Sequence, residues 1–145
     1  MGNMRVAEFL IGLLDLVRQQ LPAELSNFQV VGPTMSLVKI HYGHPAIHYE
    51  VWIQRRRGEV ELGLHFEGDI ESNRRHLELL NKKQDAIRMA LGTEVDLGLW
   101  DKGWTRVHER VALEPLSDDF LVELSYKLSA MIQTLEPMLR VWAAE

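Results

Sequence analysis

The chain has 145 residues, with 16 Lys+Arg against 21 Asp+Glu, a net charge of −5, no Cys, and 46% hydrophobic and 26% charged residues. Its length and apolar content are those of one soluble globular domain, able to bury about 70% of its unfolded surface. The acidic balance excludes a global attraction to phosphate backbones or anionic lipid, so nucleic acid would need a local patch. The lack of Cys excludes disulfides, thiolate zinc sites and a Cys nucleophile, and fits a reducing compartment.

From Met4 to Leu21, apolar residues at Val6, Leu10, Leu13, Val17 and Leu21 recur at spacings of three and four, widened by Phe9 and Leu16, and Pro22 ends the run. This predicts a first amphipathic helix. The apolar run Phe9 to Leu14 has the look of an export-signal core, but Asp15 interrupts it and Arg18 follows where small residues would be needed. No apolar stretch reaches the ~18 to 20 residues of a membrane span, and the expected location is the cytoplasm.

Between Phe28 and Phe66 the period changes to two. Ile47, Tyr49, Val51 and Ile53 alternate with polar residues, as do Val60, Leu62, Leu64 and Phe66. Gly32-Pro33 is expected to close a short strand, Tyr42 to Pro45 to separate the next two, and Arg55-Arg56-Arg57-Gly58 to make a tight connection. The pattern predicts three or four antiparallel strands. Helical spacing returns from Ile70 to Leu91, through Leu77, Leu80, Gln84 and Ile87, with Gly92 as the stop.

Two more strands, Glu94 to Trp100 and Trp104 to Leu113, are joined by Asp101-Lys102-Gly103. A last helix starts at Ser117 as N-cap, with Asp118 and Asp119 in its first turn, and carries a seam from Phe120 to Leu139; Pro137 is expected to kink or shorten it. The expected fold is a single α+β domain over residues 1–145: helix, three or four antiparallel strands, helix, two strands, helix, with the helices packed on one face of the sheet.

Alternation then places His48, Glu50, Trp52, Glu59, Glu61 and His65 on the opposite face, joined by Trp104, Arg106, His108 and Arg110 from the second hairpin. Aromatics set among polar groups on an open sheet are what an interface looks like, since Trp and Arg supply most hot spots. His48, Trp52, His65, Trp104 and His108 are therefore the expected partner contacts, with a homodimer as one form of the complex. The alternatives are a solvated face and a small-molecule site. His48, His65 and His108 with Glu50 or Glu61 include the ligand types of a metal site, but no short ligand spacing such as HExxH accompanies them, and no metal or other cofactor is expected.

Arg55, Arg56 and Arg57 form the one dense basic run, and with Arg74 and Arg75 they would make a phosphate-contacting patch if loop and helix lay together. The simpler reading is solvated surface. There is no nucleophile elbow and no glycine-rich phosphate loop, so the reading leans away from an enzyme.

The segment from Phe66 to Gly92, with Glu71 and Asn73 at a helix start, the hairpin after it, and the final helix ending Leu135-Glu136-Pro137-Met138-Leu139, resembles a bacterial family known only as a domain of unknown function. Members of that family often lie beside restriction-endonuclease-like segments. The resemblance implies an accessory module; the chain carries no Glu-x-Lys strand for Mg²⁺-dependent cleavage. In order of elements it is also similar to the type III secretion chaperones, which implies a dimer that takes an extended peptide of its partner. The function expected is a non-enzymatic, dimeric protein-interaction module, with a nucleic-acid-binding accessory or a peptide-binding chaperone as alternatives.

Overall fold

The computed structural model describes residues 3–144. Its elements in chain order are α1 (Val6–Gln20), a 3-10 turn (Ala23–Leu25), β1 (Gln29–Thr34), β2 (Leu37–His41), β3 (Ile47–Gln54), β4 (Glu59–Phe66), α2 (Ile70–Asn81), α3 (Gln84–Leu91), β5 (Asp96–Leu99), β6 (Thr105–Ala112) and α4 (Asp118–Ala144). The strands form one antiparallel sheet in the order β1-β2-β3-β4-β6-β5. The α+β class is as the periodicities predict, with four strands before the middle helical region.

The two central strands carry the predicted phase. Tyr49 opposes Leu64, Val51 opposes Leu62 and Ile53 opposes Val60, and all six are buried against the helices. Leu64 in turn faces Val107 across the β4–β6 pairing. Above them α1 and α4 pack on each other through Phe9 and Phe120, whose rings stack with centroids 5.8 Å apart. The spacing of three and four that predicts these helices buries Phe9, Leu10, Leu13 and Val17 on one side and Leu124, Leu128, Met131 and Leu135 on the other.

Three expectations change. Gly32-Pro33 does not close β1: the strand continues to Thr34 with an irregular register, and the chain reverses at Met35 and Ser36, Met35 taking φ 58°. β1 is an edge strand, where a residue without N–H need not break the ladder. The helix expected from Ile70 to Leu91 is two helices. A turn at Lys82 and Lys83 lets α2 pack on β5 and β6 while α3 packs on α4, so Leu80 and Ile87 are buried against different neighbours and Ile70 stays exposed. Finally, α4 runs through Pro137 to Ala144. The carbonyl that loses its usual donor is that of Gln133, an exposed residue, so it is not left unsatisfied in the core.

Asn73 holds the end of β4, the start of α2 and the second hairpin together. Its Oδ1 accepts from the Gly68 amide at 2.9 Å, and its Nδ2 donates to the carbonyls of Gly68 and Gly103 at 3.0 and 3.1 Å. The Thr105 hydroxyl donates to the Asn73 carbonyl at 3.0 Å. This buried amide uses both of its N–H donors and its carbonyl oxygen to fix the hairpin tip.

Candidate functional site

The second face of the sheet assembles the polar residues as the alternation places them. His48 lies opposite His65, Glu50 opposite Gly63 and Trp52 opposite Glu61; in the next strand pair, Arg106 lies opposite His65 and His108 opposite Gly63. Gly63 is required here. A Cβ on it would come 2.9 Å from the His108 Cβ and 3.1 Å from the Val107 carbonyl oxygen, so β4 and β6 approach closely only because the side chain is missing.

The expectation of an open face fails. His48, Glu50, Glu61, His65 and His108 are all buried, His65 completely. Trp100, on the side of β5 that carries Asp96 and Gly98, turns its ring edge-on to His65 at 5.4 Å, and the Arg106 guanidinium lies 4.7 Å from the Trp100 ring centre. Trp104 packs beside Trp100 with centroids 5.8 Å apart. His48, His65 and His108 are therefore not surface contacts for a macromolecule. Of the five expected partner contacts, Trp52 and Trp104 remain partly accessible.

Beneath the tryptophans is a hydrogen-bonded charge layer. Glu61 accepts from Arg106 Nη1 at 2.7 Å and from His65 Nε2 at 2.9 Å. His65 Nδ1 lies 3.1 Å from Glu67 Oε2, and His48 Nε2 lies 2.8 Å from Glu50 Oε1. The two imidazoles stack with centroids 5.6 Å apart. Burial acts to lower the His65 pKa, but the hydrogen bonds to Glu61 and Glu67 and the charge of Glu50 outweigh it and raise the ring to about 9. Burial acts to raise Glu61 and Glu67, and their bonds to His65 and the neighbouring cations hold both below the usual carboxylate range.

His108 behaves oppositely. Its Nδ1 has no hydrogen-bond partner, and burial, with Arg106 and Arg110 nearby, lowers its pKa to about 4 against the attraction of Glu61 and Asp96. The folded value lies below the unfolded 6.5, so the unfolded chain takes up the proton first as the medium acidifies. The resulting stability is complete above pH 6.5 and is lost as pH falls through 4. Urea denaturation of wild type and His108→Gln between pH 7 and pH 4 is expected to show the wild type losing ground to the variant; parallel curves would refute this role.

Beside the layer opens a cleft of about 490 Å³, lined by Trp52, Trp100, Arg106, Arg110 and the turn Arg55, Arg56 and Arg57, with Glu61 and Gln54 among its polar groups. Arg106 is held by Glu61, and Arg110 lies 3.5 Å from Glu59. Among the described residues no carboxylate comes within ion-pair distance of Arg55, Arg56 or Arg57, which are exposed. The structure thus brings the arginine turn to the tryptophans. Arg74 and Arg75 belong elsewhere: both are on α2, and Arg75 lines a separate groove of about 620 Å³ with Tyr42, Ile47, Leu139 and Trp142. The expected patch of Arg55, Arg56 and Arg57 with Arg74 and Arg75 is therefore not one surface, because the α2 arginines line no part of the cleft.

Glu50, Glu67 and Trp100 are absent from the site residues expected from sequence. Strand alternation gives a signal for Glu50 and, extended past β5, for Trp100. Extended one residue past β4, it does the same for Glu67, which shares the parity of Glu61 and His65. No family model, curated protein or solved structure matches this chain.

Proposed function

We propose that the protein is a non-catalytic interaction module whose arginine and tryptophan cleft receives an acidic segment of a partner protein. The observation that carries this reading is the gathering of five arginines and two tryptophans around one cleft in a chain of net charge −5. Guanidinium groups bind carboxylates in a fork geometry, and indole faces supply the apolar contact that makes such pairs specific. Among the described residues Arg55, Arg56 and Arg57 make no ion pair, so their pairing with an incoming carboxylate breaks none of those present.

Charge also separates this reading from its rivals. A duplex needs phosphate contacts along an extended surface, whereas the basic residues here surround a compact cleft and the remaining surface has a larger acidic excess than the chain as a whole. A homodimer with its two-fold axis through the cleft would set each arginine cluster against its copy, which like charges oppose. The partner supported by the geometry is therefore a different chain with Asp and Glu side chains.

Fluorescence anisotropy with a short labelled Asp/Glu-rich peptide tests the proposal. Binding is expected to weaken with added salt and to fall at least about tenfold, a change of ~1.4 kcal/mol, in the double variant Arg55→Glu, Arg57→Glu, whose substitutions lie on an exposed turn. Equal binding of a Lys-rich peptide, or peptide binding unaffected by the double variant, would overturn it. Tighter binding of duplex DNA than of the peptide would instead favour the nucleic-acid reading.

A further inference from the structure

The charge layer contains more acceptors than its neutral side chains can satisfy. His48 Nδ1 lies 2.8 Å from the Pro45 carbonyl oxygen, which only accepts, so this nitrogen carries the ring proton. In a neutral ring the other nitrogen, Nε2, points its lone pair at Glu50 Oε1, a second acceptor, 2.8 Å away. His65 is in the same position on both sides, with Glu67 at Nδ1 and Glu61 and Glu50 at Nε2. Four ring nitrogens face oxygen acceptors, a demand that protons meet only if both imidazoles are charged and that one shared cation also meets. The nearest other cations are Arg106, committed to Glu61, and Lys39, 4.0 Å from Glu50.

We propose that His48, Glu50, His65 and Glu67 form a closed binding site for one divalent transition-metal cation of the zinc class. One donor atom from each of the four lies within 4.8 Å of all the others. His48 Nε2 lies 2.8 Å from Glu50 Oε1 and 3.8 Å from Glu67 Oε2, and His65 Nδ1 lies 3.1 Å from Glu67 Oε2, separations that bracket the ~3.3 Å between ligands of a tetrahedral ion held at about 2.0 to 2.1 Å. Two imidazoles and two carboxylates suit zinc and its neighbours, and four protein ligands with no open position make a structural site.

Three features outside the ligand set agree with this assignment. The Pro45 carbonyl fixes the tautomer of His48 with Nε2 free to coordinate, as backbone acceptors do behind metal-bound histidines. The ligands come from a rigid strand pair, since β3 and β4 are in register from Ile47 to Gln54, and Glu67 is fixed just beyond it by its backbone N–H, which donates to the Ala46 carbonyl at 2.8 Å. Glu67 is the one ligand with appreciable exposure and adjoins the exposed Gly68, which gives an ion a way in.

The test is titration of EDTA-treated protein with ZnCl₂ by calorimetry and with Co²⁺ by visible absorption. One equivalent of Zn²⁺ is expected to bind and to raise the melting temperature, and Co²⁺ to give the spectrum of a four-coordinate ion. Glu67→Gln and His48→Gln are expected to weaken Zn²⁺ by at least about tenfold, while His44→Ala, on the exposed turn before β3, leaves it unchanged. Circular dichroism of the metal-free variants checks the fold, and Glu67→Gln, at the rim of the cluster, retains it even if His48→Gln does not. Absence of a stoichiometric equivalent, retention of full affinity in Glu67→Gln, or loss of binding in His44→Ala would each overturn the assignment.

Discussion

Glu61→Ala is expected to destabilise the protein by about 3 to 5 kcal/mol, the typical cost of removing one partner from a buried ion pair. Glu61 is 1% exposed and accepts from both Arg106 and His65, so its loss leaves a guanidinium and an imidazole in the layer without their common acceptor. The penalty is largely that of the unpaired groups, and so exceeds the net worth of the interactions themselves. Glu59→Ala, which breaks the half-exposed pair with Arg110, is expected to cost no more than ~1 kcal/mol. Urea unfolding of the two variants measures both values, and equal effects would show that the layer is hydrated and open.

Phe120→Ala is expected to cost about 3 to 5 kcal/mol by a different route, the transfer and cavity terms of a lost aromatic side chain. Phe120 is 2% exposed and meets Phe9 across the α1–α4 contact. The damage should be concentrated in the helical layer, because the sheet keeps its own ladder. Hydrogen exchange is expected to show α1 amides losing more protection than those of β3 and β4. A loss of ~1 kcal/mol or less would mean that neighbouring side chains refill the space.

Both expectations depend on positions that the sequence makes legible to different degrees. The strict alternation from Ile47 to Phe66 identifies which residues share a face, since a one-residue slip would bury charges against α1 and α4. The same alternation places His48, Glu61, His65, Arg106 and His108 together. It does not reveal that the face is covered, because the cover is made by Trp100 and by the long side chains of the layer itself. Local pattern also misses the division between α2 and α3: Leu80 and Ile87 keep helical spacing across the turn, and only the two different packing partners show why the chain bends. The cleft depends on a turn and three strands, so Arg55 and Arg110 look like ordinary solvated residues until β6 pairs with β4.

The helical layer has a further consequence during synthesis. α1 ends at Gln20, and the helix that covers it, α4, begins at Asp118. At the usual elongation rate of about 5 to 20 residues per second, the apolar stripe of Phe9, Leu10 and Leu13 precedes its partner by roughly 5 to 20 seconds. The nascent chain thus carries an unfinished core surface while about a hundred further residues are added, and the ribosome-associated holdases that bind such stripes have that interval to engage α1. Translation arrested before residue 118 should leave a protease-sensitive chain, and release of the last helix should close it.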